Sequence, residues 1–293
     1  MIELRMPVDP ALADELEEHF CMDHQQCWML HENWQTHKHE LRGFFECRED
    51  ADTELEKLRE HFPALAGMPE LRELADRDWK EAYKLHFKPW HERGLHWVPV
   101  WEKDGYELPP GEEIVYLDPG MAFGTGNHET TRLCVRRLLD ARDDWAGDLP
   151  RKTVIDAGCG SGILAISARK LGFREIFAFD NDPDSVRISL DNARLCEVEG
   201  RIAFQWADLQ EGLQGRSADL LLANILSPVL CAHAGLLVAA VRPGGRLVLS
   251  GILDREKQEV HATFAEALGQ PGLPLDSRTD GDWADLCYQR PLG

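Results

Sequence analysis

The sequence predicts an α/β protein: a doubly wound, Rossmann-like sheet preceded by a small N-terminal α+β domain of ferredoxin-like type. Three observations lead there. From Thr153 onward, apolar runs without polar alternation (TVIDAG, EIFAFD, ADLLLANI, GGRLVLSGI) are separated by helical stretches, the pattern of parallel strands covered on both faces. The first of these runs ends in an acid and a glycine-rich turn, as nucleotide-binding sheets do. Ahead of residue 76 the order strand, helix, strand, strand, helix, strand is that of a split βαβ sandwich.

Taken in order, IELRMP alternates like a strand, and Asp9-Pro10 opens the helix ALADELEEHF, with proline in the first turn where its missing N–H costs nothing. CWMLHENW and HELRGFFEC read as strands. ADTELEKLREHF is an amphipathic helix with Leu55, Leu58 and Phe62 at helical spacing. MPELRELA is a strand or a short helix, and periodicity does not choose. Residues 78–90 are expected as a helical connector with Trp79, Tyr83 and Phe87 in one stripe, followed by a strand (LHWVPVW) and a Pro/Gly loop (DGYELPPGEE). Beyond Thr153, GILAISARKLG, PDSVRISLDNARLCEV and SPVLCAHAGLLVAAV are helices, and RIAFQWAD adds a strand between the second and third of them. The expected division is 1–76 as a small α+β substrate-recognition domain, 77–110 as connector and strand, and 111–293 as the nucleotide-binding domain.

Composition narrows the function. Hydrophobic residues at 43% and charged residues at 29% are the balance of a soluble globular chain. The formal net charge is -20, and residues 1–60 hold sixteen acids against six bases. Such a surface repels phosphate backbones, so no direct nucleic-acid binding is expected, and it speeds the approach of a basic partner. Solubility alone accounts for the charge equally well. Residues 218–241 are apolar enough to test as a membrane span, but Asp219, Asn224 and Pro228 interrupt them, so no membrane is expected. Eight cysteines without a CxxC pair, and a start with no basic segment ahead of an apolar run, point to the cytoplasm.

The chemistry gathers around Val154-Ile155-Asp156-Ala157-Gly158-Cys159-Gly160-Ser161-Gly162. Gly158 and Gly160 permit a tight strand-to-helix turn and let backbone lie against a ligand, and the helix start offers free N–H groups. The spacing is GxGxG with Ile163 where a dinucleotide fingerprint has its last glycine, which argues against a nicotinamide enzyme. Asp156, two positions before the first glycine, is placed to hold the amino-acid end of a ligand. Asp180, ending EIFAFD, is placed to accept hydrogen bonds from ribose hydroxyls, because Asp182 is better sited to cap the next helix. Asp208, ending RIAFQWAD, is either an adenine contact or a turn residue.

A second motif, LDPGMAFGTGNHETT (117–131), joins a turn, a glycine-rich loop and a helix start. The loop, centred on Phe123, Gly124 and Thr125, is suited to fold over a cofactor, with Phe123 as an apolar wall and Thr131 offering its hydroxyl. The plainer reading is a helix cap by Asn127 or Thr130. A third, ANIL, sets Asn224 beyond the carboxyl end of a strand, where ligands meet in such sheets.

Together these three motifs, with DWKEAYKLHFKPW ahead of them, resemble the bacterial ribosomal-protein L-eleven methyltransferases (PrmA-type), within the class I S-adenosylmethionine-dependent methyltransferases. The likeness is specific from about Asp78 to Leu253; over residues 1–75 only the order of elements agrees. The resemblance implies S-adenosylmethionine as cofactor and cofactor contacts at Thr131, Gly158, Asp180 and Asn224. It also implies methyl transfer to lysine ε-amines and an N-terminal α-amine of a basic ribosomal protein, with Asn224 orienting the amine. Asn127 departs from the family, which more often has Thr or His there.

Weaker signals are set aside. Cys21, His24 and Cys27, with His31, His37 and His39, have zinc-ligand types but no structural-site spacing, so no metal is expected. Trp79, Trp90, Trp97 and Trp101 read as packing rather than a methyl-lysine cage. Competing functions are a lysine methyltransferase with another protein target, a nicotinamide-dependent oxidoreductase, and a cofactor-binding module without catalysis.

Overall fold

In a computed structural model of the chain, the described residues are 2–10, 12, 13, 15, 16, 20, 27–33, 38–45, 47–65, 67–73, 88–118 and 128–292. They fall into two compact units, Met1–Leu85 and His86–Gly293.

In the first unit, β1 (Ile2–Val8), β2 (Trp28–Asn33), β3 (Lys38–Phe45) and β4 (Glu70–Glu73) form an antiparallel sheet in the order β2-β3-β1-β4, the ferredoxin-like arrangement. Pro10, Leu12, Ala13, Glu15, Leu16 and Phe20 are helical. The helix α1 (Arg48–His61) lies against β1 and β3. Alternation in β1 sends Leu4, Met6 and Val8 into a core with Leu16, Leu41, Leu55 and Leu58. The buried Glu3 is satisfied by a two-pronged bond from Arg5 at 2.8 and 3.0 Å. The ambiguous MPELRELA is strand at Glu70–Glu73, because it pairs with Ile2–Arg5 of β1, a long-range partnership that periodicity does not record.

The second unit opens with β5 (Trp90–Glu92), β6 (Leu95–Pro99) and β7 (Glu113–Leu117), a three-stranded sheet in which β6 pairs antiparallel with β5 and parallel with β7. This corrects the end of the expected connector helix: Lys88 and Pro89 are coil and Trp90 already belongs to β5, its ring stacked on that of Trp97 at 3.9 Å. The rest of the connector, including Trp79, Tyr83 and Phe87, lies outside the described residues, as do Cys21, His24 and His37. The strand expected over LHWVPVW stops at Pro99 and a 3-10 helix follows over Val100–Gly105.

The main sheet has seven strands in the order β10-β9-β8-β11-β12-β14-β13. Five are parallel: β8 (Thr153–Ala157), β9 (Glu175–Asp180), β10 (Ala203–Trp206), β11 (Ala218–Asn224) and β12 (Val241–Leu253). The strands β14 (Trp283–Gln289) and β13 (Thr279–Asp280) close one edge, β14 running antiparallel to β12. From β8 the chain winds one way through β9 and β10, then returns to β8's other side through β11 and β12. That reversal between β8 and β11 is the switch point where such sheets bind ligands.

The helices are α2 (Glu129–Asp144), α3 (Ile163–Lys170), α4 (Pro183–Leu195), α5 (Leu209–Leu213), α6 (Ser227–Ala232), α7 (Ala234–Ala239) and α8 (Lys257–Ala267). The long helix expected over 227–241 is broken into α6 and α7: His233 leaves helical geometry at φ -114° and ψ 15°, and Gly235 is a poor helix former. One face of the sheet packs Val154, Ile176, Leu220, Leu222 and Val248 against α2, α3 and β5–β7; the other packs Ile155, Phe179, Leu221 and Leu249 against α7 and α8. No described helix is long and apolar enough to cross a membrane.

Candidate functional site

Alternation along each strand decides where the polar strand ends point. Asp156 follows Val154, Asp180 follows Ile176 and Ala178, and Asn224 follows Leu220 and Leu222, all on the α2–α3 face. Ala157 stands level with Phe179 on one side and Ala223 on the other. Gly158, Asp180 and Asn224 are thus neighbours in one row at the carboxyl ends of β8, β9 and β11, spanning roughly 10 Å at ordinary strand spacing.

The glycine loop is shaped by backbone. Gly158, Gly160 and Gly162 all have positive φ, at 76°, 52° and 79°, a region that side chains disfavour. A Cβ at Gly158 would sit 2.5 Å from Ile225 Cγ2. The main-chain N–H groups of Gly158 and Cys159 donate to the Phe179 carbonyl at 2.9 and 3.0 Å. That of Gly160 donates to Asp180 Oδ2 at 2.8 Å, and that of Asp182 to Asp180 Oδ1 at 3.0 Å. Asp180 is therefore clamped by one donor on each oxygen, with further lone pairs left on both. Burial pushes its pKa up, against the N–H groups of Asp182, Gly160 and Asn181, which hold it down. Asp182 caps α4, accepting from the N–H groups of Asp184 and Ser185 at 3.0 and 3.2 Å, as the sequence expects.

Asp156 is wholly buried. Its Oδ2 accepts from the Ala165 N–H of α3 at 3.0 Å, but its Oδ1 is enclosed without a hydrogen-bond partner. The side-chain oxygens of Thr131 and Asn224 are in the same position. Thr131 lies in the first turn of α2, and Cys134, one turn further, hydrogen-bonds Ser250, which stands level with Asn224 in the sheet. The fold thus gathers Thr131, Asp156 and Asn224 at the same end of the α2–α3 face. A buried polar atom left unpaired costs about 1–3 kcal/mol. Three acceptor-capable oxygens in this state at the switch point suit a ligand that brings N–H donors.

Other expectations are placed differently. The cap of α2 is His128 rather than Thr130, its Nδ1 accepting from the Thr130 N–H at 3.3 Å and contacting Thr130 Oγ1 at 2.8 Å, while Asn127 lies outside the described residues. Burial lowers the His128 pKa, which keeps the ring neutral and able to accept. Asp208 is exposed and caps α5, its Oδ1 accepting from the Glu211 N–H at 2.8 Å, so the turn role is the one this oxygen performs. Phe123, Gly124 and Thr125 lie outside the described residues. Gly251 went unread: with φ 80°, a Cβ there would meet the Ile225 carbonyl oxygen at 2.5 Å, so it lets the turn after Asn224 close against β12. Its only signal is a glycine within a strand run.

Residues 11–291 match the family model described as ribosomal protein L11 methyltransferase (PrmA). A protein of that name from Cupriavidus taiwanensis is 43% identical over 225 residues, 76% of this chain and 69% of the relative. One from Pelobacter propionicus is 37% identical over 261 residues, 85% of this chain and 81% of the relative. The crystal structure of a ribosomal protein L11 methylase from Lactobacillus delbrueckii subsp. bulgaricus is similar with a TM-score of 0.59 at 33% identity, covering 68% of this chain and 96% of that one. With a glycine-floored, acid-rimmed switch point in place and the family model spanning nearly its whole length, the chain belongs to the ribosomal protein L11 methyltransferase family.

Proposed function

We propose that this protein transfers methyl groups from S-adenosylmethionine to lysine ε-amines, the N-terminal α-amine, or both, of a basic large-subunit ribosomal protein. The observation that carries the reading is the set of enclosed, unpartnered oxygens on Thr131, Asp156 and Asn224 beside the clamped carboxylate of Asp180. Those residue types fit the cofactor. The remaining lone pairs of Asp180 suit two ribose hydroxyls, the GxGxG floor admits a nucleoside without side-chain clash, and Asp156 and Thr131 offer acceptors to an α-ammonium. Asp208, at the end of β10, is the residue placed for the adenine amino group through its second oxygen. Ile163 opens α3, buried where a dinucleotide-binding loop has glycine, which disfavours the nicotinamide alternative.

The sulfonium of bound S-adenosylmethionine supplies an activated methyl group for in-line displacement by an amine. The protein's part is positioning. A lysine amine, with pKa about 10.4 in water, is protonated at neutral pH, and only the neutral form has the lone pair. A partly apolar surround lowers that pKa, and Asn224 Oδ1 accepts an N–H of the amine and orients it. His128 is a cap rather than a base, since its Nδ1 lone pair is engaged with Thr130, and the proton leaves to water.

Calorimetric titration with S-adenosylhomocysteine tests the site. Wild type binds, and Asp180→Ala loses at least about 10-fold in affinity through the lost charge-assisted bonds, with its circular dichroism unchanged. Equal affinity in the folded variant removes the ribose assignment. Incubating the enzyme and labelled methyl donor with dissociated ribosomal proteins tests the substrate: label on a protein outside the large subunit points instead to a different target.

A further inference from the structure

The Asn224 side chain makes no hydrogen bond among the described residues, and its Oδ1 is enclosed without a partner. Its direction is therefore inherited from the backbone of the turn that carries the chain from β11 into α6. That turn, residues 224–227, is gripped from three sides. Two grips come from glycines with positive φ: a Cβ at Gly158 would sit 2.5 Å from Ile225 Cγ2, and a Cβ at Gly251 would sit 2.5 Å from the Ile225 carbonyl oxygen. The third is polar. Ser227, buried at the start of α6, donates its hydroxyl to Glu256 Oε2 at 2.6 Å. The same carboxylate oxygen accepts from the Leu253 N–H at 3.4 Å, at the end of β12.

Glu256 behaves oddly for where it stands. It is the N-cap residue of α8, a position at which a side-chain oxygen ordinarily accepts from the N–H groups of its own helix. The Glu256 carboxylate makes no such bond. It also makes no ion pair among the described residues, whereas Lys257 beside it pairs with Asp254 at 2.5 Å. The acid instead reaches back to a hydroxyl 29 residues earlier. Stabilising α8 does not explain that choice. Holding the turn after Asn224 does, and the Ser227 hydroxyl makes the one side-chain hydrogen bond of residues 224–227 among the described residues.

We propose that Glu256 is a positioning residue for methyl transfer: by holding the Ser227 hydroxyl it fixes the turn after β11, and so the direction in which Asn224 Oδ1 meets the substrate amine. This rests on the reading of Asn224 given above. A misplacement of about 1 Å can cost on the order of 100-fold in rate, and a side chain without bonds of its own follows every movement of its backbone. A hydroxyl-to-carboxylate bond is charge-assisted and stronger than a neutral one, which suits it to hold a turn still. On the same reading the donor is held by the glycine loop and Asp180, on β8 and β9, so the tie acts on turnover rather than on donor affinity.

The test measures kcat and donor KM with labelled S-adenosylmethionine and dissociated large-subunit ribosomal proteins, and S-adenosylhomocysteine affinity by calorimetry. Glu256→Ala and Ser227→Ala should each lower kcat about 10-fold or more, with donor KM and S-adenosylhomocysteine affinity within about 3-fold of wild type. The double variant should be no slower than either single one, because both cut the same bond. Glu256→Gln, whose amide oxygen still accepts from the hydroxyl, should recover most of the rate. Ser227→Ala removes a single oxygen and carries the test where Glu256→Ala impairs folding. Wild-type kcat in either folded alanine variant, additive losses in the double variant, or Glu256→Gln as slow as Glu256→Ala overturns the positioning role. Asn224→Ala separates the two readings: if it is slow while Glu256→Ala is not, the role of Asn224 stands and that of Glu256 falls. If Asn224→Ala turns over like wild type, both fall.

Discussion

Asp156 is a buried carboxylate with opposing influences on its charge. Full burial pushes its pKa up to about 7, the Ala165 N–H pulls against that, and the charge of Asp180 pushes further the same way. The folded state therefore keeps a proton between about pH 4 and 7 that the unfolded chain has lost. Through linkage, this group's contribution to stability declines as pH rises across that window, is absent as a cost below pH 4, and is complete above pH 7. Asp156→Asn removes the charge and keeps an acceptor for Ala165. Urea denaturation should show the variant more stable than wild type by roughly 2–4 kcal/mol at pH 8 and equal to it at pH 4; a gap independent of pH would count against the burial argument. An entering ammonium favours the ionised carboxylate. Calorimetry of S-adenosylhomocysteine near pH 6, in buffers of different ionisation heat, should accordingly report release of close to one proton in wild type and none in the variant.

Among the elements, α2 carries Thr131 of the site, and it is tied to the sheet by a buried ion pair. Arg137 donates through Nε and Nη2 to both carboxylate oxygens of Asp285 in β14 at 2.8 Å and through Nη2 to Asp276 at 2.8 Å. Asp285 has no solvent exposure and takes a further bond from the Arg278 N–H at 2.8 Å. Removing one member strands the other, so Arg137→Met should cost about 3–5 kcal/mol in guanidinium denaturation, and Arg137→Met with Asp285→Leu should recover much of it. A loss below about 1 kcal/mol for the single change would mean that water reaches Asp285 and the pair is not insulated. The same pair explains why β14 is hard to read. WADLCYQ buries Ala284, Leu286 and Tyr288 on one face, but an aspartate at its centre argues against a buried strand until Arg137 arrives from 148 residues away. The strands β8, β9 and β11 are legible because their apolar runs need no distant partner to make burial favourable. The connector's end and the break at His233 are hidden in the sequence for the opposite reason: local periodicity continues where pairing of Trp90 with Trp97, and the geometry at His233, interrupt it.

For the molecule as a whole, the dominant property is its charge of -20, concentrated in residues 1–60. If the substrate is a basic ribosomal protein, encounter is steered by long-range attraction that salt screens, with a Debye length near 10 Å at 0.1 M and about 3 Å at 1 M. Raising ionic strength from about 0.05 to 0.5 M should lower kcat/KM for the protein substrate by roughly 10-fold or more and leave kcat little changed. A short neutral peptide carrying one lysine should show no such dependence. Equal salt sensitivity of both substrates would assign the acidic surface to solubility.

Read alone, the chain already specifies a parallel, doubly wound sheet, the glycine turn, and Asp180 at a strand end, because these follow from contiguous residues: runs of apolar side chains, spacing of glycines, and an acid closing a run. It also assigns the cap of α4 to Asp182 rather than Asp180, since capping is local chemistry. Only the folded arrangement could reveal that Thr131, Asp156 and Asn224 are left with unsatisfied oxygens and that His128 rather than Thr130 caps α2. Whether a polar atom is paired depends on every chain segment packed around it, and those segments lie tens to hundreds of residues apart in the sequence.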